Sequence, residues 1–130
     1  MFDTDTCVYA MKGTYPALSR RLPTVSDRHA CLSVISYGEL LKGAEKSEQP
    51  GKSRQRVESL ISILSVMPLD EDVGIEYGRI AAFLERKGTP IGGNDLWIGA
   101  HALSLGLTLI TNNDREFKRI PKLKVENWTK

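Results

Sequence analysis

The sequence predicts an α/β fold with a central, mainly parallel sheet flanked by helices. Three observations carry that prediction. Short β-rich stretches, HACLSVIS, GLTLIT and LKVENW, alternate with longer segments whose apolar residues recur at helical spacing. Parallel strands need crossover connections, usually helices, so this alternation is the pattern such a sheet requires. At 130 residues, with 26% charged and 41% hydrophobic residues, the chain can build one real core and reads as a single soluble domain over 1–130.

Each element has its own reason. The opening MFDTDT reads as a very short first strand ending in two aspartates, Asp3 and Asp5. HACLSVIS is the second strand and runs straight into YGELLKGA, which reads as a helix. AEKSEQPGKSRQR is the most polar stretch, breaks at Pro50-Gly51, and reads as a loop between helices. RVESLISILSVM sets Val57, Leu60, Ile61 and Leu64 on one helical face. DEDVGIEYGRIAAFLERKG repeats the pattern with Val73, Tyr77, Ile80, Ala81 and Leu84; acids at its start suit the helix dipole, and Gly88 before Thr89-Pro90 is a stop signal. NDLWIGAHALSLG reads as a helix capped by Asn94. GLTLIT is a strand bounded by Gly106 and TNND, and LKVENW is a last strand with Leu123 and Val125 facing one way.

Composition excludes several classes. No apolar run approaches the ~20 residues that span a bilayer. The start lacks the basic-then-apolar layout of a signal peptide, so a cytoplasmic protein with no membrane partner is expected. Cys7 and Cys31 lack CxxC or Cys/His spacing and read as packed free thiols. His29 and His101 show no ligand pairing and read as surface or packed histidines. The net charge of +2 does not by itself announce nucleic acid. Local clusters say more: Arg20, Arg21 and Arg28; Lys52, Arg54 and Arg56; and the tail from Arg115 through Lys118, Arg119, Lys122 and Lys124. Each reads first as a solvated face, and each is able to meet phosphates.

The acids fall in a telling pattern. Asp3 and Asp5 end the first strand, Glu39 follows the second by about one turn, Asp95 opens a helix after Gly92-Gly93, and Asn113 and Asp114 follow GLTLIT. Taken singly, each is an ordinary turn, first-turn or solvated helix residue. In an open parallel sheet, however, the carboxyl ends of the strands converge on one edge, where ligands bind. Carboxylates gathered there repel one another and resist desolvation, which a hard divalent cation relieves. Oxygen ligands suit Mg²⁺ or Mn²⁺, and such an ion activates water against a phosphodiester without any nucleophilic side chain.

Two families share motifs with the chain. DTDT, residues 3–6, resembles the DxDxT of haloacid-dehalogenase-type phosphatases, with GGND at 92–95 as a faint second match; no lysine stands at the expected strand–helix junction. The other resemblance covers nearly the whole chain. FDTDTCVY, SVISYGELLKGAEKS and RKGTPIGGNDLWIGAHALSLGLTLITNNDREFKRIPKLKVENW resemble the PIN-domain ribonucleases, specifically the toxins of VapBC toxin–antitoxin pairs and, among them, the branch that cuts initiator tRNA in the anticodon loop. The resemblance implies a PIN-like fold and a Mg²⁺-dependent endoribonuclease, with Mn²⁺ as an alternative ion. Asp3, Asp95 and Glu39 would be its catalytic metal ligands, and Thr4, Asp5, Thr111, Asn113 and Asp114 would support them. It also implies a VapB-type antitoxin partner, a tRNA substrate and a homodimer. Part of the two apolar helix stripes, with residues 37–60, would form the dimer face and a groove for an antitoxin helix, and a partner arginine would enter the acidic pocket. The chain departs from the family pattern where DTD replaces the usual DTN, where Asn113 stands in place of a fourth acid with Asp114 one step on, and in the short lead before Asp3. A non-catalytic RNA-binding module is the remaining alternative.

Overall fold

The computed structural model describes residues 1–25 and 30–130; Arg28, His29 and the start of HACLSVIS lie partly or wholly outside the described residues. Among the described residues four short strands, β1 (Cys31–Ser33), β2 (Ser65–Met67), β3 (Leu109–Ile110) and β4 (Val125–Glu126), form parallel pairs β1–β2 and β3–β4. Phe2 joins the pairs, bridging in parallel to Leu32 on one side and Ile110 on the other, which gives the order β2–β1–Phe2–β3–β4. The expected first strand is therefore one bridging residue. Backbone bonds clamp it from both sides: Phe2 N donates to Cys31 O (2.8 Å), Asp3 N to Ile110 O (3.0 Å) and Ile110 N to Met1 O (2.8 Å).

Side chains alternate across a sheet with a period of two. Met1, Cys31 and Leu109 accordingly point into one core, and Phe2, Leu32 and Ile110 into another. The second core is covered by α1 (Thr4–Lys12), α2 (Pro16–Arg21), α3 (Val34–Glu45) and α4 (Pro50–Ile61), through Cys7, Leu18, Leu40, Val57 and Leu60. The first is covered by α5 (Glu71–Arg86), α6 (Gly93–Ser104) and the single turn α7 (Asp114–Phe117), through Val73, Ile80, Leu84, Leu96, Ile98 and Phe117. Both cysteines are free and buried, as their spacing implies. Among the described residues no helix is long and apolar enough to cross a membrane.

Several boundaries differ from the sequence expectation. Pro50 begins α4 instead of breaking a loop, because proline's missing N–H costs nothing in a helix's first turn. That helix stops at Ile61, and Ser65–Met67 leaves it to pair with β1, although Leu64 remains buried from the intervening turn. The α6 cap is Gly92, with no side-chain bond, so Asn94 lies inside the helix. α1 and α2 cover a stretch to which the sequence reading gives no element. Gly99 in α6 has a packing role: a Cβ there would come within 2.4 Å of Ile120 Cδ1, so the missing side chain lets the Phe117–Ile120 segment seat against the helix.

Candidate active site

Asp3 leaves the sheet at its carboxyl edge and becomes the N-cap of α1. Only 5% exposed, it has both carboxylate oxygens engaged. Oδ1 accepts the Thr6 N–H (3.0 Å) and Oδ2 accepts the Thr111 hydroxyl (2.5 Å). Thr111 follows β3 directly, and its Oγ1 accepts the Asn113 N–H (2.9 Å), so the turn after β3 and the first strand share one hydroxyl. Burial pushes the Asp3 carboxyl above the usual carboxylate range, the bonds from Thr111 and Thr6 pull it back, and the charge of Asp5 pushes it up.

Glu39 sits on α3, whose N-cap is Ser33 at the end of β1. The Thr4 hydroxyl donates to Glu39 Oε1 at 2.6 Å and lies 3.0 Å from Ser36 Oγ, tying the residue after Asp3 to this second acid. Asp95 is in the first turn of α6. Its carboxyl is pushed up to about 6, by burial first and then by the charges of Asp3, Glu116, Glu39 and Asp5. Acids from three other segments of the chain thus reach Asp95 with their charge. Ser33 also fixes α6 against α3. Its hydroxyl accepts the Ile35 N–H (3.1 Å) and lies 2.8 Å from Nδ1 of the fully buried His101, whose pKa burial lowers.

Asp5 is exposed on the first turn of α1, close enough to raise both Asp3 and Asp95. Asn113 borders the site, donating from Nδ2 to Glu116 Oε2 (3.0 Å). Asp114 does not join the acids. It accepts from Asn127 (3.3 Å), pairs with Lys118 (3.6 Å), and its carboxyl is held low by those groups, facing the C-terminal segment. Glu116, two residues further on in the same turn, is the α7 acid whose charge reaches Asp95. Its signal in the sequence is Asn113-x-x-Glu116, the capping-box spacing that returns an acid toward the start of a helix.

The PIN-domain family model matches residues 1–123. A tRNA(fMet)-specific endonuclease VapC of Salmonella typhimurium is 43% identical over 128 residues, covering 98% of this chain and 96% of that protein. Ribonuclease VapC1 of Haemophilus influenzae is 40% identical, covering 100% and 98%. The chain belongs to the VapC family of PIN domains. Among solved VapC structures, the VapBC-1 complex of nontypeable Haemophilus influenzae superposes with a TM-score of 0.92 at 39% identity, covering 100% of this chain and 98% of that one. DNA-bound VapBC of Salmonella typhimurium gives 0.93 at 42%, covering 98% and 96%. The phosphatase reading of DTDT finds no support in this PIN fold, where Asp3 is a buried helix cap and Asp5 an exposed first-turn residue.

The VapC site suits a hard cation. Its donors are all oxygens, and Asp95 is held above its normal pKa by burial and, after it, by neighbouring negative charges that a cation would neutralise. Among the described residues no three of His, Cys, Asp and Glu form a ready-made cage. One or two carboxylates with water in the remaining positions is the ordinary manner of holding Mg²⁺.

Proposed function

We propose that this VapC-family chain is the toxin of a type II toxin–antitoxin pair, a cytoplasmic endoribonuclease that hydrolyses initiator tRNA in its anticodon loop with Mg²⁺ or Mn²⁺. The observation that carries the reading is Asp95, whose carboxyl is raised by burial and by the charges of Asp3, Glu116, Glu39 and Asp5 at the carboxyl edge of a parallel sheet.

When bound, a divalent ion lowers the pKa of its water and neutralises charge on a leaving oxygen. Asp3 and Asp95 would hold it, with Glu39 and Glu116 beside them. Thr111 and the Thr6 N–H hold Asp3 in place and counter the upward push of burial on its carboxyl. Thr4 restrains Glu39. A splayed single-stranded loop presents its backbone to an open site of this kind better than a duplex does. A VapB-type antitoxin and a second copy of the chain are the partners this reading carries. The likeness to VapBC complexes supports the first.

The test is cleavage of an initiator tRNA transcript by the purified protein. Cleavage should require Mg²⁺ or Mn²⁺ and vanish in Asp3→Asn and Asp95→Asn with the fold intact. Induction should arrest growth, and co-expression of a VapB-type antitoxin should relieve it. Metal-independent cleavage, or full activity in both variants, would overturn the proposal.

A further inference from the structure

We propose that the face of α3 carrying Glu39 is a track for the phosphate backbone of the substrate RNA, with Lys42 and Lys46 holding phosphates next to the scissile one. The inference rests on the ribonuclease reading and adds the route by which a polyanion reaches an acidic site.

A groove of about 630 Å³ begins at Thr4, Glu39 and Asn94, the rim of the site, and runs along α3 past Lys42 and Gly43 to Lys46. Residues 39, 42, 43 and 46 share one helical face. At a rise of 1.5 Å per residue, the two lysines lie ~4.5 and ~10.5 Å along the axis from Glu39, about one turn apart from each other. That separation suits neighbouring phosphates of an extended strand.

The lysines are exposed, and among the described residues neither has a carboxylate within ion-pair distance. Three cations of the clusters prominent in the sequence are engaged, Arg21 with Glu126, Arg54 with Glu45, and Lys118 with Asp114; what sets Lys42 and Lys46 apart is their place along the groove that starts at Glu39. A favourable interaction with the α3 dipole accounts for cations near this helix end. It does not account for the glycines. Gly38 and Gly43 are helix-interior residues, without positive φ, at positions where alanine is favoured. A Cβ at either would meet nothing within 4 Å, so packing does not demand them. Their effect is a bare floor on which another backbone can lie close. Among the described residues, the apolar side chains lining this groove are those of Val34 and Ile35, near the site. A bound peptide would want anchor pockets along the groove, whereas a phosphate chain wants cations over an open floor.

The experiment measures kcat and KM on the initiator tRNA transcript across a KCl series, for wild type, Lys42→Ala, Lys46→Ala, the double variant, both Lys→Arg variants and Gly43→Gln. Affinity for fluorescent tRNA is measured in parallel in an Asp95→Asn background. Each alanine should raise KM by about three- to tenfold and flatten the salt dependence by about 0.7 in slope, with the double variant adding both effects. Arginine should rescue, and Gly43→Gln should raise KM without lowering Tm. Unchanged KM and salt slope in the double variant would overturn the track while leaving a cleaving wild type as a nuclease. Loss confined to kcat would overturn it too, as would unchanged tRNA affinity with weakened binding of a VapB-type antitoxin. Lysine-dependent tRNA affinity in a protein that never cleaves would uphold the track and sink the nuclease reading.

Discussion

The hydroxyl of Thr111 donates to Oδ2 of Asp3 at 2.5 Å, joining residues 108 apart in sequence, and the same oxygen accepts the Asn113 N–H. It is one of two fixed donors to a carboxylate that is almost wholly removed from water. Thr111→Val keeps the shape and removes the hydroxyl, leaving one buried carboxylate oxygen and one amide N–H without that partner. The variant should lose about 1–3 kcal/mol of stability and at least tenfold in RNA cleavage. Thr111→Ser should recover most of both. Urea denaturation with initial-rate measurements checks this, and a valine variant as stable and active as the parent would show that the bond does not hold Asp3.

Asp95 makes metal-free stability depend on pH in an unusual direction. Its folded-state carboxyl titrates at about 6, whereas an unfolded aspartate titrates near 4. Between those values the native state binds the extra proton, so its contribution to stability falls as pH rises and is fully lost above about 6. Because the residue is partly exposed, the two-unit gap is discounted to roughly 1–2 kcal/mol. Asp95→Asn should therefore stabilise the protein by that amount at pH 7.5 in EDTA, and should have less effect at pH 4.5. Mg²⁺ should raise the Tm of wild type and leave the asparagine variant nearly unmoved. Melts at the two pH values decide it; parallel pH profiles for the two proteins would exclude a strained carboxylate.

The two acids of α7 should separate cleanly. Glu116 reaches Asp95 electrostatically, while Asp114 bonds Asn127 and Lys118. Glu116→Gln should cut cleavage by about ten- to a hundredfold, with stability unchanged or slightly raised. Asp114→Asn should leave the rate within about twofold and the stability nearly unchanged, as surface substitutions usually do. Rates at saturating Mg²⁺ are the readout, and a larger loss from Asp114→Asn would reverse the assignment.

The same pair shows where the sequence stops being legible. Strand-end placement marks Asp3, Glu39 and Asp95, because β-rich runs and helix starts are local patterns. Choosing between Asp114 and Glu116 depends on how a single helical turn is rolled by its buried Phe117, which is a tertiary fact. α5 is legible from its spacing because it runs for 16 residues against one core. α1 is not: Thr, Cys, Val and Tyr favour strands, and the helix starts there because Asp3, fixed by Phe2 and Thr111, caps it. The sheet order is hidden for a related reason. Strands of one to three residues are too short to show the alternation that sends Met1 and Phe2 into opposite cores. Asn94 looks like the stronger cap by residue type, yet Gly92 takes the position, and Asn94 instead lines the groove beside Glu39.

Asp5 is the chain's own departure from the amide that the family pattern carries at this position. It is exposed, forms no part of the fixed Asp3–Thr111 and Thr4–Glu39 contacts, and adds negative charge felt by Asp3 and Asp95. Asp5→Asn removes that charge at nearly constant shape. Asp95 should then hold its proton less tightly, so the acid limb of the pH–rate profile should move to lower pH at subsaturating Mg²⁺. The divalent ion loses one attracting, solvent-screened charge, so its half-saturating concentration should rise by about two- to fivefold. RNA, a polyanion, should bind somewhat tighter for the same reason, lowering KM. At saturating Mg²⁺ the rate should stay within tenfold of wild type, because none of the fixed contacts is touched. The opposed movement of Mg²⁺ requirement and KM distinguishes a change in charge from a change in geometry. If both worsen together, with kcat collapsing, Asp5 binds the ion directly and is not a bystander charge.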